Sequence, residues 1–72
     1  MCKTLIILIL LFDGTLVKEP LEFEKPVTVA DCLMFADDHR EGIAIYREDG
    51  DSNRSGWYLK DGRGTIQGFI CE

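Results

Sequence analysis

From Pro26 to Gly42 the chain carries one helical pattern, and any fold must give that pattern a surface to lie on. Pro26 cannot continue a preceding helix, Thr28 is a good N-cap, and Asp31 three residues later comes close to a capping box. Val29, Cys32, Leu33 and Ala36 recur at helical spacing as an apolar stripe, with Phe35 at its edge. Asp31, Asp37, Asp38 and Glu41 fall largely on the other side, and Gly42 is a natural stop. The spacing predicts one amphipathic helix of about three turns, apolar on one face only.

The segments after the helix read as strands. Residues 43–47 and 57–60 are rich in β-branched and aromatic side chains, and residues 65–71 form the last such run. Residues 48–55 read as an exposed loop, and Asp61-Gly62-Arg63-Gly64 as a tight turn. The second half is therefore expected to be a three-stranded antiparallel meander. By alternation Ile43 and Ile45 share a face, as do Ile66 and Ile70, and Phe69 and Cys71 lie on the opposite one. If Cys71 reaches the helix, something else must cover the Ile66 and Ile70 side, and the N-terminal hairpin is the expected cover.

Residues 5–12 are an unbroken apolar run preceded by Lys3. One reading is the core of a signal peptide, although Phe12-Asp13-Gly14 makes a poor small-x-small cleavage site. The other is a β-strand buried on both faces, with Asp13-Gly14 as a hairpin turn and residues 15–17 returning beside it. The run is too short to span a bilayer as a helix, so no transmembrane segment is expected. Pro20 and Pro26 restrict residues 21–24 to an edge strand or a loop.

At 72 residues the chain is a single domain with a small core, the size class that often adds a disulfide, a metal or a partner chain. A net charge of −5 and a pI near 4.7 argue against binding nucleic acid by phosphate neutralisation. None of the three cysteines sits in a C-x-x-C pair, so the spacing indicates neither zinc nor thioredoxin-type redox chemistry. Cys2 falls among terminal residues that are usually frayed or removed. Cys32 and Cys71 are left as a candidate bridge, closing a loop of about forty residues and contributing roughly 4 kcal/mol through chain entropy. Two free buried thiols are the alternative.

Few residue groups here could carry chemistry. Asp49, Asp51 and Asn53 alternate as oxygen ligands do in a calcium loop, but Arg54 stands where glycine is needed and Lys60 where glutamate is needed. His39 is the only histidine and lies near the helix end, without a spacing that identifies a catalytic partner. Asp37 and Asp38 are adjacent on a helix and diverge by about a hundred degrees. Met34 lies off the apolar stripe, and with Tyr46 and Trp57 it marks a possible contact surface, against the plainer reading of Trp57 as core.

The segments GTLV, PLEF, DCLMFADD, GWYLKDGRG and QGFICE, with the apolar start, resemble short proteins found in marine bacterial and phage sequences. No activity, cofactor or ligand attaches to that resemblance, which implies only a phage-related or environmental origin.

Taken together, the residues predict an α+β domain spanning 1–72: one helix on a small antiparallel sheet made of the C-terminal meander plus an N-terminal strand or hairpin. The function expected is a non-enzymatic binding or interaction module, exported to the periplasm or secreted and stabilised by Cys32–Cys71. A self-associating or virion-attached structural protein, in the cytoplasm or on a virion, is the alternative, ahead of a calcium-binding or hydrolase-like protein. No cofactor and no nucleic-acid partner are expected; an unknown protein or a second copy is.

Overall fold

Two Asp-Gly turns set the layout of the computed structural model, which describes residues 1–48 and 56–72. Gly14 and Gly62 both take the positive φ that only glycine adopts freely, at 93° and 80°. The first turn joins β1 (Cys2–Leu11) to β2 (Leu16–Val27), and the second joins β4 (Gly56–Leu59) to β5 (Gly64–Cys71). Between them lie α1 (Val29–Ile43) and β3 (Ala44–Arg47). All five strands form one antiparallel sheet in the order β2-β1-β5-β4-β3.

The expected N-cap is present: Thr28 Oγ1 accepts the Asp31 N–H at 3.1 Å. The expected stop at Gly42 is not. The helix runs on to Ile43 and turns directly into β3 through an extended Ala44, whose N–H donates to the Arg40 carbonyl. The Lys60 N–H donates to the Ile43 carbonyl at 2.9 Å, so the helix end is tied to the β4 end and no left-handed glycine is needed. Ile43 and Ile45 therefore do not share a strand face.

The N-terminal hairpin does not cover the meander. It joins it edge to edge, with β1 pairing to β5 over Leu5–Leu11 and Gly64–Cys71, so that hairpin and meander form the single antiparallel sheet expected of them, five strands long, and the covering role does not arise. The outer strand β2 carries Pro20 and Pro26, which an edge tolerates because its outward N–H positions need no partner.

The face of the sheet turned to α1 holds the core. Leu5, Ile7 and Ile9 of β1 are buried there with Cys32, Ala36, Ala44, Leu59 and Ile66. Ile66 was expected opposite Phe69 and Cys71, but a bulge at Gln67 corrects this. Leu8 pairs with Gly68 and Ile9 with Ile66, leaving Gln67 as the extra residue, so Ile66 comes round to the helix side. Only Cys32 and Ala36 of the predicted helix stripe are buried, whereas Val29 is 56% exposed and Leu33 47%. These two small side chains let one row of the helix approach the sheet closely, and the flanking rows stand clear. Phe35, 40% exposed, meets the Phe23 ring edge-on at 5.3 Å.

Candidate functional site

Strand β1 is apolar on both faces, and its second face is the main unassigned surface. The register sets Ile6 between Pro20 and Ile70, Leu8 between Lys18 and Gly68, and Leu10 between Leu16 and Thr65. Tyr58 lies next to Thr65 and pairs with Ile45, while Phe12 brings its ring to 6.2 Å from that of Tyr58. Leu10 is 37% exposed, Ile70 38% and Phe12 66%, and no described element packs over this side. A shallow hollow at its far end is lined by Phe12, Ile45, Arg47, Tyr58 and Lys60. Charges stay at the rim, with Lys18 and Glu22 on β2 and Arg47 on β3. The acids Asp31, Asp37, Asp38 and Glu41 are exposed on the helix, on the other side of the sheet.

The second feature is a sulfur cluster under the helix. Cys32 of α1 and Cys71 of β5 form a disulfide, with their Cα atoms 6.3 Å apart. Cys2, expected to fray, is buried at 3% exposure in β1 and keeps a free thiol. All three sulfurs lie within 4.8 Å of one another. Simple alternation from Leu5, Ile7 and Ile9 would turn Cys2 to the other face. The irregular pairing between Cys2 and Thr4 breaks that alternation and brings it to the core.

Arg40 also works beneath the helix. Its guanidinium lies 4.4 Å from the Trp57 ring centre and 5.9 Å from that of Phe69, and it pairs with Asp37 at 3.1 Å. Trp57 in turn meets Tyr46 at 5.6 Å. Of the expected contact residues, Tyr46 and Trp57 thus sit together on the helix side, and Met34 is exposed on the helix itself. His39 stacks on Phe35 at 5.7 Å. Asp49, Asp51 and Asn53 lie outside the described residues.

The turns carry the shifted titrations. The Thr15 backbone N–H, donating to Asp13 at 2.9 Å, holds that carboxyl below its ordinary value. The Arg63 backbone N–H does the same for Asp61 at 3.0 Å. Hydrogen bonds from Arg63 to Glu19, at 2.8 Å, and to Asp61 raise the guanidinium further. These groups are solvent-exposed and fix turn geometry.

No described helix is long and apolar enough to cross a membrane. No family model, curated protein or solved structure matches the chain.

Proposed function

We propose that this chain is a small non-enzymatic interaction module that acts by packing the open face of its sheet against a second copy of itself. One observation carries the reading: Ile6, Leu8, Leu10 and Ile70 form an apolar strip that no described element covers. Contiguous apolar surface of that kind marks interaction sites in soluble domains. Strand spacing and rise give the face an area on the order of 600 Å². Two copies would bury about 1,200 Å², at the lower edge of stable specific interfaces. An uncharged centre and a rim of mixed sign suit a twofold contact, in which the same patch meets itself. Four of the thirteen acids, Asp31, Asp37, Asp38 and Glu41, lie on the helix and so away from the contact.

The Cys32–Cys71 bridge supports an oxidising compartment, periplasmic or extracellular, as the place where the module works. Light scattering tests the association. The expected result is a mass of twice 8.2 kDa at micromolar concentration, falling to 8.2 kDa in Leu8→Lys and Leu10→Lys with unchanged circular dichroism. Leu10 is the more exposed of the two, so its substitution leaves the monomer fold least disturbed. A monomeric wild-type chain throughout the micromolar range would overturn self-association.

A further inference from the structure

We propose that Cys2, Cys32 and Cys71, once all three are reduced, form a tris-thiolate site for a thiophilic monovalent ion of the copper(I) class. The sulfurs converge from three elements, β1, α1 and β5, and lie within 4.8 Å of one another. Three sulfurs bound at about 2.3 Å in a trigonal plane stand about 4 Å apart, a spacing that small rotations about the Cα–Cβ bonds can reach. Cys2 and Cys32 are buried and Cys71 half-buried, within a cluster whose other members are apolar.

Donor number and type choose the ion. Among the described residues no histidine or carboxylate joins the group. Structural zinc takes four ligands, so three soft donors in apolar surroundings suit a three-coordinate thiophilic ion better. Cys2 has no part in the bridge, yet the fold places its sulfur beside both bridged ones.

In the bridged protein two of the three donors are tied up and the site is closed. Opening takes two electrons and two protons. Two molecules of a low-molecular-weight thiol supply them: the Cys32–Cys71 bond breaks to two thiols, and the small molecules leave joined as their own disulfide. Ion entry then displaces thiol protons, so uptake strengthens as pH rises. The ion takes over from the bridge as the tether between helix and sheet.

To test this, the full chain is reduced anaerobically with a small thiol, freed of it, and titrated with copper(I) against a chromophoric chelator. The expected outcome is one ion per chain with a thiolate-to-copper charge-transfer absorption. Affinity should fall by at least about tenfold in Cys2→Ser and Cys2→Ala, because losing a ligand costs no less than losing a residue that orients one. Bridged wild-type protein should take up none. Equal affinity in wild type and both variants would overturn the assignment, as would preference for zinc. X-ray absorption at the copper edge of the loaded wild-type chain reads the donors directly, whether or not the variants fold. Three sulfurs support the site and two overturn it.

Discussion

Asp13 and Asp61 occupy the same place in two turns of the same make, and each carboxylate is held by the N–H two residues on. Both carboxyls are held below the ordinary aspartate value by these backbone N–H groups, so their contribution is present above that ordinary value and lost as pH falls through the folded one. Thermal unfolding should show the wild type above Asp61→Asn at neutral pH, with the gap closing in acid; a gap independent of pH would contradict this. Thr28→Ala removes the helix cap and should cost about 1 kcal/mol in urea unfolding. Gly64 is tighter still, because an added Cβ would run into the Leu10 carbonyl oxygen and the Leu11 Cα. Gly64→Ala should destabilise by about 1–3 kcal/mol on the same assay, since the obstacle is backbone and cannot rotate away. The Asp-Gly turns and the Thr28 cap were legible in the sequence because their chemistry is local. The demand on Gly64 was not, since it comes from the chain's other end.

At the scale of elements, α1 is held to the sheet by few buried side chains. It buries only Cys32 and Ala36, and the bridge to Cys71 closes a separation of 39 residues. Replacing both bridged cysteines by alanine should cost about 4 kcal/mol on the loop-closure argument. Amide exchange should then quicken in α1 more than in β1 and β5, which keep their ladder hydrogen bonds. An equal loss across helix and sheet would contradict this seating. The helix and the meander could be read from periodicity and spacing, whereas the Cys32–Cys71 pairing was reached only by setting Cys2 aside as frayed, and Cys2 is buried. Which residues share a face could not be read wherever pairing slips. The bulge at Gln67 moves Ile66 to the core, and the irregularity after Cys2 buries a residue that its position in the sequence marked as fraying. Neither slip leaves a mark in composition or period.

At the scale of the whole molecule, the described residues form one sheet with a helix on one side and an apolar surface on the other. An apolar run from Leu5 to Phe12 showed that β1 would offer two apolar faces. It could not show that one of them stays uncovered among the described residues, because parity assigns faces and not layers. With a charge of −5 on each copy, two copies repel at long range, so association should tighten as salt screens that repulsion. Sedimentation at low and moderate ionic strength reads the change, and weaker association in salt would point to ion pairs at the contact. The most direct measurement is the accessibility of methyl groups to a paramagnetic cosolute, followed by NMR as the protein is concentrated. If the open face is where two copies meet, the methyls of Ile6, Leu8, Leu10 and Ile70 become protected with concentration while those of Val29, Leu33 and Met34 stay accessible. Unchanged accessibility at Leu8 and Leu10 over the whole range, or protection that appears first on the helix, would contradict the account.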